Sequence, residues 1–183
     1  RLDVTDPERI RQVVDDAVDA LGRIDVVVSN AGYGLFGAAE EATRDQIERQ
    51  IQTNLTGPIH LAQAVLPHLR AQGHGRIIQI SSIAGQGAAP GMAVYCATKR
   101  GVEGFFESLA AEVKSFGIGV TIVEPGAVRT SFFDRGKEVT AALPAYAGTP
   151  VAVLRGRVEA GRVSCRGDLA KMAGAIADVA TRP

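Results

Sequence analysis

Tyr95 and Lys99 stand four residues apart in Tyr95-Cys96-Ala97-Thr98-Lys99, in a chain of 183 residues with only three tyrosines and four lysines. On a helix, positions i and i+4 share a face, so the two side chains lie one above the other. A free tyrosine has a pKa of about 10 and carries protons poorly at neutral pH. An ammonium beside it favours the phenolate and lowers that pKa, which makes tyrosine a usable acid and base. Ser81 and Ser82 lie a short way upstream. Ser82, at the end of a strand, is placed to hydrogen-bond a substrate oxygen and hold it for Tyr95. Chance puts a lysine four residues after some tyrosine of such a chain about 7% of the time. The pair takes its meaning from its surroundings.

Those surroundings alternate strands with helices. Asp6 and Pro7 have the types that cap and open a helix, and Ile10, Val13, Val14, Ala17, Val18 and Leu21 follow at helical spacing up to Gly22. "IDVVVSN" reads as a strand buried on both faces. A second helix is predicted from near Thr43 past Gly57-Pro58 to about Ala71, with Asn54 at a kink inside it. "GRIIQIS" is the next strand, and residues 94–116 form a helix with Val102, Phe105, Phe106, Leu109, Val113 and Phe116 on its apolar side. "IGVTIVEPG" is a strand, residues 128–150 are irregular, and an amphipathic helix covers about 167–181. This alternation predicts an α/β fold, a Rossmann-like doubly wound parallel sheet with helices on both faces. Residues 1–183 read as a single, partial domain. In such sheets ligands sit beyond the carboxyl ends of the strands, which directs residues after Asn30, Ser81 and Glu124 to one crevice.

The composition narrows the function. The net charge is zero and no basic run occurs, which excludes the electrostatic footprint of a nucleic-acid binder. No apolar run reaches the length of a membrane span. Cys96 and Cys165 make no disulfide framework, which suits a reducing cytoplasm, and His60, His68 and His74 are too scattered for a metal site. Cys96 reads as a small buried side chain. Tyr33, Met92, Val94, Phe132 and Phe133 are either pocket wall or plain packing.

With these elements in place, the chain resembles the classical short-chain dehydrogenase/reductase family. Five motifs carry the resemblance in order over residues 2 to about 132: "LDVTD" with Asp3, Asn30-Ala31-Gly32, Asn54 in "NLTG", Tyr95 and Lys99 with Ser82 thirteen residues before the tyrosine, and Pro125-Gly126-Ala127-Val128-Arg129-Thr130. The phrasing is most similar to the bacterial branch that looks like 17β-hydroxysteroid dehydrogenases. The resemblance implies hydride transfer between a nicotinamide dinucleotide and a carbonyl or alcohol substrate. It assigns catalysis to Asn54, Ser82, Tyr95 and Lys99. It assigns cofactor contacts to Asp3, Asn30, Ala31, Gly32, Tyr95, Lys99, Pro125, Gly126, Val128 and Thr130. The cofactor is NADP or NAD, with NADP preferred by the branch alone. The resemblance also implies a homodimer or homotetramer through the helices at about 43–71 and 94–116, whose apolar residues include Val65, Leu69, Phe105 and Phe106.

One departure counts against this reading. The glycine-rich turn that cradles a pyrophosphate is not found here; "GYGLFG" follows the wrong strand. Two βαβ units predict roughly 60 further residues before Arg1, and the family's last strand would follow Pro183. Two alternatives stay open: a non-catalytic remnant acting by association, and a 3-oxoacyl carrier-protein reductase.

Overall fold

The computed structural model describes residues 2–181. Helix α1 (Pro7–Leu21) starts where its sequence requires: the Asp6 carboxylate accepts from the Arg9 amide at 3.0 Å, and Pro7 opens the first turn. It ends at Gly22, whose φ of 80° satisfies a terminal carbonyl through a left-handed cap. Strand β1 (Val26–Ser29) and the short β2 (Gly34–Phe36) follow. Helix α2 (Arg44–Ile51) is closed by a capping box between Thr43 and Gln46.

The continuous helix expected from Thr43 to Ala71 is interrupted. Residues Gln52–Thr56 form a π turn, and α3 runs from Gly57 to Gln72. Pro58 has no N–H to offer the carbonyl four residues before it, so the chain widens and Gly57 N–H bonds to the Gln52 carbonyl instead. Asn54 lies in this turn. Next come β3 (Gly75–Ile80), the single-turn α4 (Ile83–Gln86), α5 (Ala93–Val113) and β4 (Ile118–Val123). Strand β5 (Lys137–Val139), α6 (Pro150–Glu159) and α7 (Leu169–Thr181) complete the described chain.

Strands β1, β3 and β4 make a parallel sheet in that order, with Val27 opposite Ile77 and Ile77 opposite Val120. The fold is α/β, a parallel sheet flanked by helices, as the alternation predicts. Helices α1, α3 and α5 share one core against it through Val14, Val65, Leu69, Phe106 and Leu109. The opposite side of β1 is open: Val28 is 46% exposed, so the expected burial of this strand on both faces is not met. Val65, Leu69 and Phe106 are at most 1% exposed, and Phe105 packs against the same core. These side chains hold this chain together and offer little surface to a second subunit.

A second, two-stranded parallel sheet joins β2 to β5, with Leu35 opposite Glu138. It returns the irregular segment after β4 to the end of the main sheet. Among the described residues, no helix is long and apolar enough to cross a membrane.

Candidate active site

The carboxyl ends of β1, β3 and β4 open into one cavity of about 410 Å³. Asn30 and Gly32 arrive from β1, Ser81 and Ser82 from β3, and Pro125, Gly126, Val128 and Thr130 from β4. Helix α5 adds Tyr95 and Lys99. The strand ends are tied to each other: the Ser81 amide donates to the Val123 carbonyl at 2.7 Å and the Ile83 amide to the Pro125 carbonyl at 3.1 Å. Nine of the twelve expected residues thus meet. Asp3, Ala31 and Asn54 do not line the cavity. Asp3 instead closes its own turn by accepting from the Thr5 amide at 2.9 Å and the Thr5 hydroxyl at 2.8 Å.

Asn54 acts at one remove. Its side chain is 1% exposed and grips both main-chain groups of Tyr33: Oδ1 accepts from the amide at 3.1 Å and Nδ2 donates to the carbonyl at 2.8 Å. Nδ2 also lies 3.4 Å from the Thr98 hydroxyl, which donates to the Tyr95 carbonyl at 2.8 Å. Asn54 therefore ties the loop after β1 to the helix that carries Tyr95. A buried amide with every group paired holds its surroundings rigid.

Tyr95 and Lys99 are each 5% exposed. Ser82 is the serine that bears on Tyr95, where it acts against the rise that burial imposes, and its hydroxyl caps α4 by accepting from the Ala84 amide at 3.2 Å. Ser81 turns away and donates to Glu103. Burial raises the Tyr95 phenol above 10, and Ser82 opposes that only in part. The expected lowering by Lys99 is not met, for a geometric reason. The ammonium lies 5.8 Å from the centre of the Tyr95 ring and donates to the Ile80 carbonyl at 2.9 Å. Burial in turn lowers Lys99 to about 8, with Glu103 pulling the other way.

That shift has a measurable sign. Lys99 loses its proton near pH 8 when folded and near 10.5 when unfolded, so the unfolded state binds more protons in between and stability rises with pH there. Above about pH 10 the raised Tyr95 works in the opposite direction. Urea unfolding between about pH 8 and 10 is expected to show a rise that Lys99→Met reduces by about 2 kcal/mol.

The cavity wall is apolar, and Lys99 is its one charged side chain among the described residues. Phe36, Phe132 and Phe133 pack on each other with ring centres 5.1–6.5 Å apart, and Phe132 lies 5.9 Å from Tyr95. Of the five residues left open between pocket and packing, Tyr33, Met92, Phe132 and Phe133 line the cavity and Val94 does not. Leu154, Val163 and Met172 were not visible in the sequence as wall residues. Leu154 belongs to α6, a helix absent from the predicted elements; Thr149-Pro150, an N-cap position followed by proline, is the local signal for it. Gly32 lies beside Asn54 and Lys99; a Cβ there would sit 3.3 Å from Asn54 Oδ1 and 3.9 Å from Lys99 Nζ.

A family model described as short chain dehydrogenase matches residues 1–140. The chain belongs to the short-chain dehydrogenase family. A crystal structure of a short-chain dehydrogenase from Streptomyces avermitilis superposes on this short-chain dehydrogenase chain with a TM-score of 0.88 at 41% identity, covering 99% of this chain and 65% of that one. A gluconate 5-dehydrogenase from Burkholderia cenocepacia, solved with NADP and tartrate, gives 0.71 at 32% identity, with 73% of this chain and 52% of that one covered. The 3-ketodihydrosphingosine reductase of Bacteroides thetaiotaomicron is 43% identical over 133 residues, which is 73% of this chain and 49% of that protein. The chain spans about half the length of the curated relatives it matches.

Proposed function

We propose that this protein is an oxidoreductase that transfers a hydride between a nicotinamide dinucleotide and an uncharged, apolar carbonyl or alcohol. The observation that carries this is the meeting of Tyr95, Lys99 and Ser82 at one end of an apolar cavity at the strand ends. The residues present fit a nicotinamide nucleotide. Asn30, Gly32, Pro125 and Gly126 offer small or flat surfaces beside Tyr95, and the space next to Gly32 admits no further side chain atom without crowding Asn54. The nucleotide, when bound, supplies the hydride; Lys99, Asn30, Gly32, Pro125, Gly126, Val128 and Thr130 are the residues placed to hold it.

The chain's own groups handle the proton. Tyr95, neutral at physiological pH as an ordinary phenol is and kept so by burial, gives its proton to the carbonyl oxygen during reduction. Ser82 holds that oxygen and faces the charge that develops on it. Lys99, whose ammonium rests on the Ile80 carbonyl 5.8 Å from the centre of the Tyr95 ring, keeps its charge below about pH 8 and is the cation placed to hold the nucleotide. Phe36, Phe132 and Phe133 exclude water from this step. The assembled trio supports catalysis over a non-catalytic remnant.

NADP is the preferred reading of the cofactor, supported by the NADP held by the gluconate dehydrogenase relative. A homodimer or homotetramer, a cytoplasmic location, and one unit over residues 1–183 belong to the same proposal. The purified protein, mixed with NADPH or NADH and a set of apolar ketones, is expected to consume NADPH in step with alcohol formation. Absence of turnover with either nucleotide across aliphatic and polycyclic ketones, at a pH below 8, would refute the proposal.

A further inference from the structure

Glu103 is a glutamate that is 4% exposed, and it does not line the cavity. It stands on α5 at i+4 from Lys99 and i+8 from Tyr95, so the three share one face of the helix. Its carboxylate is firmly held. Ser81 donates to Oε1, and the Gln86 amide donates to Oε2 at 3.0 Å. Gln86 reaches Glu124 at 3.2 Å with the same nitrogen. Room for the carboxylate is made by Gly85, where a Cβ would fall 1.8 Å from Oε1. Lys99 meanwhile donates to the carbonyl of Ile80, the residue before Ser81. Two successive rungs therefore join α5 to the strand end that carries Ser82.

We propose that Glu103 is a positioning residue of the acid–base pair: it pins the Ser81–Ser82 strand end to α5 and places a carboxylate one turn beyond Lys99. This rests on the reading of Tyr95 and Lys99 as that pair. An ammonium buried this deeply is costly to keep charged unless an opposite charge is near, and Glu103 is the carboxylate that opposes the effect of burial on Lys99. The other titratable groups around Lys99 are few. Tyr95 and Cys96 share its helix, Tyr33 lies across the cavity, and Glu124 is reached only through Gln86. Arg100 is exposed and turned to the Gln86 carbonyl at 3.3 Å. Helix α2 brings its charges to the surface, where Arg44 pairs with Glu48 and Arg49 with Glu138. Helix α3 contributes His60, half-buried, which contacts Gln63 at 3.3 Å, and His68, also half-buried, which pairs with Asp15 at 2.9 Å.

The test follows Lys99 directly by NMR in protein labelled at the lysine side chains, with its signal identified by its loss in Lys99→Arg. Glu103→Gln is expected to lower the Lys99 titration midpoint by about one pH unit or more. Glu103→Asp and Ser81→Ala, which keep a carboxylate but loosen its placement, are expected to lower it by less. A residue that only supports packing would change stability and leave the midpoint unmoved; an unmoved midpoint in folded Glu103→Gln overturns the proposal. Should that variant fail to fold, an unmoved midpoint in both of the others overturns it equally. The measurement needs neither nucleotide nor ketone. A moved Lys99 in a protein without turnover would count against the oxidoreductase reading alone, and an unmoved Lys99 in an active protein against Glu103 alone.

Discussion

Tyr95→Phe is expected to fold as the parent does and to lose between about 10²- and 10⁴-fold in kcat/KM, the range that a positioned general acid supplies. The substitution keeps the ring that packs 5.9 Å from Phe132 and deletes only the hydroxyl. If proton donation occurs in the transition state and not in binding, kcat and kcat/KM fall together and KM stays near its original value. The pH profile adds a second check. With Tyr95 raised above 10 and Lys99 charged only below about 8, carbonyl reduction is expected to decline as pH passes through 8. It should decline because the cavity loses the cation placed to hold the nucleotide, not because the acid is spent. Steady-state kinetics of the variant across pH decide it. Full turnover in Tyr95→Phe would remove Tyr95 from the mechanism.

The second large effect lies outside the cavity. Glu41 and Arg155 form a buried ion pair, 8% and 7% exposed. The Glu41 carboxylate also accepts from the Ala38 amide at 2.7 Å, the Leu143 amide at 2.9 Å and the Thr140 hydroxyl at 3.0 Å. One carboxylate thus joins the loop after β2, the segment after β5, and α6. Burial works to raise its pKa, but the Leu143 and Ala38 amides, Thr140 and Arg155 together hold it below the ordinary value of 4.5. Its contribution to stability is therefore present above about pH 4.5 and is lost as pH falls through the lower folded value. Glu41→Ala strands a buried guanidinium and two main-chain amides, and is expected to cost about 3–5 kcal/mol. Arg155→Leu in addition removes the stranded charge, so the double variant should be less destabilised than the sum of the two. Urea midpoints of the two single variants and the double variant test this. Additive losses would mean that the pair is not coupled. Because Leu154 of α6 lines the cavity, the same variants are expected to raise KM for apolar ketones.

Neither partner of that pair stands out in the sequence, and the reason is distance. Glu41 and Arg155 are 114 residues apart, and no local period links them. Helix α6 buries chiefly Arg155 and Val158, so it has no apolar stripe to reveal it, and the sequence pattern places no helix there. Strands β2 and β5 are three residues each, too short for alternation to show. The π turn at Asn54 was foreshadowed only as a kink, although Pro58 dictates it once the helix is traced back four residues.

What the sequence by itself determined is local or periodic: the alternation of the longer strands and helices, the Asp6–Pro7 start and Gly22 stop of α1, and the shared face of Tyr95 and Lys99. These follow from spacing along one element or from a strand end feeding one crevice. Tertiary structure alone decided the protonation of the site. The sequence pattern predicts a tyrosine lowered by its lysine; the fold buries both, raises Tyr95, turns the ammonium to Ile80, and lowers Lys99 to about 8. Spacing tells which side chains share a face, whereas desolvation depends on everything packed around them.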